Sequence, residues 1–213
     1  MKIYFVRHGQ SLGNAKHTLL GHTDLDLSEL GYKQARATAE AMREINIDAI
    51  FASDLKRAFN TAVPHGELRG IPVVGDERLR ECYIGEWENQ TSDWCRENYP
   101  VAFCVDWINA FGTFTFPGGE STLGGGERFL RRTLEICKEN EGKDILIVSH
   151  AAVLRAFWGI ISGLAPEEVG DRLAFPTNAS YSVCEFDGER LIPIEYSHDE
   201  HLAEIGITKI SYD

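Results

Sequence analysis

The chain has 213 residues, 43% of them hydrophobic and 25% charged, with a formal net charge of −12, which fits one globular α/β domain with room for a small inserted subdomain. The acidic balance excludes nucleic acid and anionic membrane as general partners, and no apolar run approaches the length of a membrane span. The apolar run that ends at Val6 is too short for a signal-peptide core, so the expected compartment is the cytoplasm.

Lys2–Val6 is β-branched and aromatic and reads as a buried strand stopping at Arg7-His8-Gly9. Ser28 is placed to cap a helix running to about Ile45, with Leu30, Gln34, Ala35, Thr38 and Met42 at a helical period. Ala49–Ala52 reads as a second strand, followed by a helix that carries Arg57 and Thr61 on neighbouring turns and that Pro64 should end or kink. Ile71–Val74 reads as a third strand. Residues 85–126 then lose the strand–helix rhythm, carry Trp87, Trp94, Trp107, Phe111, Phe114 and Phe116, and end in glycines, which suggests an inserted lid with an aromatic core. A helix is expected from about Glu127 to Asn140, the clearest strand at Ile145–Val148, another helix from Ala151 to Ser162, and late strands near Tyr181–Phe186 and Leu191–Tyr196. The expected fold class is therefore α/β: a three-layer α/β/α domain over residues 1–213, with a mostly parallel central sheet and a small inserted helical lid.

Ligands of such sheets bind beyond the carboxyl ends of the strands. Arg7 and His8 follow one strand end, Asp54 and Arg57 another, and His150 a third. A phosphomonoester needs fixed cations and N–H donors, an in-line nucleophile, and a proton for its leaving oxygen. Arginine supplies a planar fork, and neutral imidazole supplies a lone pair without a metal. The cysteines, Cys82, Cys95, Cys104, Cys137 and Cys184, are odd in number and form no C-x-x-C pair, so they read as reduced and mostly buried thiols. Cys82 is not expected to have a cation or histidine beside it that would make it a thiolate. His17, His65, His198 and His201 read as ordinary histidines whose spacing suggests no metal site.

The run Arg7-His8-Gly9-Gln10-Ser11-Leu12-Gly13-Asn14 resembles the signature of the histidine phosphatase superfamily, whose founding members are the cofactor-dependent phosphoglycerate mutases. The likeness continues in order through Gly21-His22-Thr23-Asp24, Ser53-Asp54-Leu55-Lys56-Arg57-Ala58, Leu79-Arg80-Glu81 with Gly85 and Trp87-Glu88, Gly118-Gly119-Glu120-Ser121, and Val148-Ser149-His150 with Leu154-Arg155. The resemblance implies that His8 is the phosphorylated nucleophile, that Arg7, Arg57 and His150 hold the phosphoryl oxygens, and that Asn14 adds a polar contact. It implies that Glu81 protonates the leaving oxygen and later serves as base for the attacking water. Gly21 and His22 face the pocket in relatives, where His22 would tune the substrate. Ala151 stands where relatives often have glycine, and its N–H keeps the oxyanion contact. No metal and no cofactor are implied.

Between Cys82 and Glu127 the only Lys or Arg is Arg96, and the acid motif reads Glu81-Cys82-Tyr83-Ile84-Gly85 without the Arg-His of the mutases it resembles. Both features favour hydrolysis of a small phosphorylated metabolite whose remainder is neutral or apolar. The alternatives are mutase-type phosphoryl transfer, with Lys16, His17 and His22 as further positive groups, and a non-catalytic phosphate-binding module. A monomer and a homodimer both remain open.

Overall fold

A computed structural model of the chain describes residues 1–209. Six strands form one sheet: Lys2–Arg7 (β1), Ala49–Ala52 (β2), Val73–Gly75 (β3), Ile145–Ser149 (β4), Tyr181–Phe186 (β5) and Leu191–His198 (β6), in the order β3-β2-β4-β1-β5-β6. β1, β4, β2 and β3 run parallel, while β5 and β6 are antiparallel additions beyond β1. β4 is buried at every position and β1 everywhere after Lys2, as expected of central strands covered on both faces.

The alternation of side chains along these strands divides the core in two. Ile3, Phe5, Phe51, Ile145 and Ile147 face one cluster; Tyr4, Val6, Ile50, Ala52, Leu146 and Val148 face the other. Helices in chain order are Leu12–Ala15 (α1), Glu29–Ala41 (α2), Lys56–Arg69 (α3), Ser92–Asn98 (α4), Trp107–Asn109 (α5), Thr122–Glu139 (α6), Ala151–Ile161 (α7) and Val169–Arg172 (α8). Met42, Ala58 and Ala62, from the α2 and α3 region, pack on the second cluster, and Phe129, Ile136, Val153 and Phe157, from α6 and α7, pack on the first. The layers are thus helix, sheet, helix.

Between Gly85 and Gly126 short turns and helices surround Trp87, whose ring centroid lies 5.3 Å from Phe103, 5.4 Å from Phe114 and 5.5 Å from Phe116. These rings are continuous with the first core cluster. Among the described residues, no helix is long and apolar enough to cross a membrane.

β3 is shifted to Val73–Gly75, β6 runs on to His198, and larger differences from the sequence reading fall in α2, α3 and α6. α2 stops at Ala41, with Met42 as its C-cap, and the residues to Ile45 form turns. Pro64 does not end α3, which continues to Arg69 and closes at Gly70 in the left-handed region. His65 and Gly66 are buried on the turn after Pro64, so tertiary packing outweighs the missing N–H. α6 begins at Thr122, capped by the Ser121 side chain, and takes in the glycine run that reads as loop. A Cβ at Gly125 would lie 2.6 Å from Cys82 Sγ, and one at Gly126 would lie 2.9 Å from the Ala156 Cβ. These glycines therefore let the helix lie directly on its neighbours.

His65 is fully buried, and neither ring nitrogen meets a hydrogen-bond partner among the described residues. Burial, reinforced by Arg69 and His201, pushes its pKa down from 6.5 to about 3. The folded state thus binds fewer protons than the unfolded chain below the unfolded pKa, so this contribution to stability is complete above about pH 6.5 and is lost on acidification, by up to about 1.4 kcal/mol per pH unit. A His65→Leu variant should lack that slope. Urea unfolding at pH 7 and pH 5 should show wild type losing about 2 kcal/mol more than the variant; equal losses would contradict the assignment.

Candidate active site

The parallel strands deliver their chemistry at one end. β1 runs into Arg7 and His8, β2 leads through Ser53 to Arg57 on the first turn of α3, and β4 leads to His150 at the start of α7. Pairing of Arg7 with Ser149, and the His8 N–H bond to the Ser149 carbonyl at 2.9 Å, set the β1 and β4 ends side by side. Glu81 arrives on the loop after β3. A cavity of about 430 Å³ is lined by Arg7, His8, Asn14, Gly21, Arg57, Glu81 and Ala151.

His8 is 5% exposed, and its Nδ1 lies 2.7 Å from the Gly9 carbonyl. A carbonyl only accepts, so Nδ1 carries the proton and Nε2 keeps its lone pair. The backbone around it is fixed: Gly9 N–H donates to Thr61 Oγ1 at 3.0 Å, and the Asn178 amide donates to the His8 carbonyl at 3.0 Å. Burial, together with the charges of Arg57 and Arg7, holds the His8 pKa well below 6.5 against the opposing Gly9 hydrogen bond. The ring is a neutral imidazole with one bare nitrogen.

Arg7 and Arg57 are 1% and 2% exposed. Arg57 donates through Nη1 to the Thr23 carbonyl at 2.8 Å and through Nη2 to the Gly21 carbonyl at 2.7 Å, and Arg7 donates through Nη1 to the Pro176 carbonyl at 2.6 Å. Burial lowers the Arg57 pKa to about 10, with Glu81, Asp24 and Glu88 opposing, so it stays a cation at neutral pH. Gly21 has φ +50, and a Cβ there would lie 2.5 Å from Glu88 Oε1. Only glycine lets its carbonyl meet Arg57 with Glu88 behind it.

His150 is wholly buried, its ring centroid 5.1 Å from that of His8, and neither ring nitrogen has a hydrogen-bond partner among the described residues. Burial, then Arg57, His8, His22 and Arg128, hold its pKa well below 6.5. It stands behind His8 and does not itself line the cavity. Unpaired buried nitrogens are costly, and an anion brought against them would satisfy one and favour its protonation.

Asn14 closes a capping box with Ser11: its Oδ1 accepts from Ser11 N–H at 3.1 Å and from Asn178 Nδ2 at 3.2 Å. The backbone N–H must meet the oxygen, so the amide orientation is fixed and Nδ2 remains as a donor. Asn14 thus caps the turn and also lines the cavity.

The Glu81 carboxylate is seated on the N-terminus of α7. Oε1 accepts from Val153 N–H at 2.7 Å and from Cys82 N–H at 3.0 Å, and Oε2 accepts from Ala152 N–H at 3.0 Å. Ala151 N–H is not among its donors. His22 differs from the expectation of a substrate contact. It does not line the cavity, and its Nε2 donates to the Glu81 carbonyl at 2.8 Å, with its ring 5.4 Å from Tyr83. The reason is Glu88, whose carboxylate takes the His22 N–H at 2.6 Å and the Thr23 hydroxyl at 3.2 Å and turns the loop toward the acid.

Several contributors were not legible beforehand. Asn178 ties His8 to Asn14 from the loop that leads into β5, with no motif around it. Ile207, Thr208 and Lys209 line the cavity from the C-terminal segment. Arg128, from α6, lies near Cys82, contrary to the expectation of no nearby cation. Burial still dominates and pushes that thiol well above 9.0. Arg155 spends its charge on the Phe111 and Phe175 rings, 4.3 Å from each centroid, and on the Leu173 and Gly170 carbonyls.

Comparison with known proteins gives one superfamily, whose matching members are named as phosphatases and as probable phosphoglycerate mutases. Residues 3–199 match the family described as the histidine phosphatase superfamily (branch 1). Phosphoserine phosphatase 1 of Hydrogenobacter thermophilus is 30% identical over 205 residues, 96% of this chain and 95% of that one. The metal-independent phosphoserine phosphatase of Arabidopsis thaliana is 30% identical over 215 residues, covering 100% of this chain and 87% of its own. The solved structure of Bacillus stearothermophilus YhfR superposes with a TM-score of 0.88 at 27% identity, over 94% of this chain and 98% of that one.

NMR of isotope-labelled histidine rings should find His8 neutral at pH 6.5, with Nδ1 protonated and Nε2 bare. A proton on Nε2, or a charged ring at that pH, would contradict the geometry.

Proposed function

The chain belongs to the histidine phosphatase superfamily, and we propose that it hydrolyses small phosphomonoesters by passing the phosphoryl group through Nε2 of His8. The observation that carries this reading is the Nδ1 hydrogen bond to the Gly9 carbonyl, which leaves a neutral His8 with its nucleophilic lone pair in a cavity walled by two buried guanidinium groups. Arg7 and Arg57 draw the dianion in, Asn14 Nδ2 and the Ala151 N–H donate to its oxygens, and His150 supplies a nitrogen behind the nucleophile.

Nε2 attacks phosphorus, the bond to the alcohol oxygen breaks, and that oxygen takes a proton from Glu81 as the alcohol leaves. The phosphorylated ring retains Nδ1–H on Gly9 and is cationic. A water oxygen then attacks phosphorus, Glu81 takes the water proton, and the P–N bond breaks to return neutral His8 and inorganic phosphate. Glu81 must leave its seat on α7 to deliver and collect that proton. No step needs a metal, because the two arginines supply the charge a metal would bring.

Hydrolysis rather than mutase transfer fits the wall of the cavity. The lid contributes Ser92, Trp107 and Phe116 and no cation, Lys16 lies outside, and Arg96 pairs with Asp93 at 2.7 Å. Among the described residues the only Lys or Arg on the wall besides Arg7 and Arg57 is Lys209. One lysine, with His17 and apolar Leu20, Ile84 and Phe175 beside it, suits a compact substrate with one further anionic group, in place of the neutral or apolar remainder expected from the sequence. Phosphoserine, named for two of the relatives, meets that description.

Turnover of phosphoserine and of para-nitrophenyl phosphate should survive excess chelator; loss on chelation with recovery on adding a divalent metal would contradict the mechanism. Glu81→Gln should lower turnover of phosphoserine by roughly a hundredfold or more, and that of the aryl ester far less, because its leaving group needs little protonation. Equal losses on both would mean that Glu81 positions substrate and donates no proton.

A further inference from the structure

The Gly118-Gly119-Glu120-Ser121 segment carries an acid that the reaction above leaves unused. Ser121 caps α6, and Glu120 faces Arg128 two turns further along that helix. The pair is bidentate: Arg128 Nε donates to Oε1 at 3.0 Å and Nη2 to Oε2 at 2.9 Å, with each side chain 23% exposed. The remaining donors of Arg128 reach main-chain carbonyls of the loop that bears the acid: Arg78 at 2.8 Å, Arg80 at 3.1 Å and Glu81 itself at 3.1 Å. Glu120 works on the same loop from the other sign, accepting the Tyr83 N–H on Oε2 at 3.2 Å.

We propose that the Glu120–Arg128 pair is a positioning device for Glu81, fixing the peptide from which its carboxylate swings; this rests on Glu81 being the proton donor. The Glu81 carbonyl takes two side-chain donors, Arg128 Nη2 and His22 Nε2. Its carboxylate, by contrast, is held among the described residues by backbone N–H groups of Cys82, Ala152 and Val153, which it must release to reach the leaving oxygen. A mobile acid on a fixed peptide keeps its reach, whereas a displacement of about 1 Å at a reacting group costs roughly a hundredfold in rate.

The plainer reading is a staple between α6 and the loop. That task is already met one turn along the helix, where Arg132 Nε binds Asp76 Oδ2 at 2.5 Å and both side chains are nearly buried. Arg128 instead gathers the carbonyls flanking the acid. The close approach is built in, because Gly125 leaves room for both Cys82 Sγ and the Glu120 carboxylate, whose Oε2 would lie 3.2 Å from a Cβ.

The test compares turnover of phosphoserine with that of para-nitrophenyl phosphate on the same preparation, so that any unfolded fraction cancels in the ratio. Glu120→Gln should lower phosphoserine turnover roughly tenfold to a hundredfold and the aryl ester by less than about threefold, the same pattern as Glu81→Gln. Arg128→Lys, which keeps the charge and loses the fork, should shift the ratio the same way. Added to Glu81→Gln, neither should change the ratio further. If Glu81→Gln discriminates between the substrates and Glu120→Gln lowers both equally or neither, the positioning role falls and the donor stands. A further ratio change in the double variant also overturns it. If Glu81→Gln itself fails to discriminate, the donor reading and the positioning role fall together.

Discussion

Two buried guanidinium groups that share one cavity at the end of a parallel sheet are the constraint on which the rest of this structure depends. Removing a cation from water costs several kcal/mol even after relaxation. The chain offsets that cost for Arg57 with carbonyls: Gly21 and Thr23 accept its fork, and Glu88 holds their loop from behind. Because carbonyls carry only partial charge, net positive potential remains. Burial, reinforced by that potential, keeps His8 and His150 neutral, so the charge that would bind a phosphoryl dianion also helps preserve the lone pair that would attack it. An acidic protein can in this way carry one strongly cationic point.

The acid has the opposite problem and a different solution. Glu81 lies within the field of Arg57 and yet is proposed to hold and release a proton. The fold gives it a resting seat on the α7 N-terminus and a peptide gripped by His22 and Arg128. Residues 85–126 form a packed aromatic body around Trp87, not a loose flap. It contributes shape and apolar wall, while charge comes from the strand ends and from Lys209.

Sequence made much of this legible because the signal was local. β4 could be read from four consecutive apolar residues, β5 at its observed bounds, and α2 from its Ser28 cap, all features that neighbouring residues decide. Arg7, His8, Asn14, Gly21, Arg57, Glu81 and Ala151 were marked by motifs that sit at strand and helix ends, and the structure gathers them at one cavity. What escaped was set by packing across the fold. The Gly124–Gly126 run reads as loop, because nothing nearby in sequence reveals Cys82 and Ala156 pressing on it. Pro64 reads as a break, because the buried turn beyond it is a tertiary fact. His22 reads as a substrate contact until Glu88, sixty-six residues away, is seen to turn its loop. Asn178, Arg128 and Lys209 come from elements distant in sequence, where an amide or a cation looks like any other surface residue.

The central claim is that phosphate passes through His8. Rapid quenching of the enzyme with phosphate-labelled phosphoserine, followed by peptide mapping under alkaline conditions, addresses it directly. The label should be acid-labile and base-stable, should map to the peptide bearing His8, and should vanish in His8→Ala together with turnover. Label on another side chain, or a His8→Ala enzyme that turns over near the normal rate, would contradict the account.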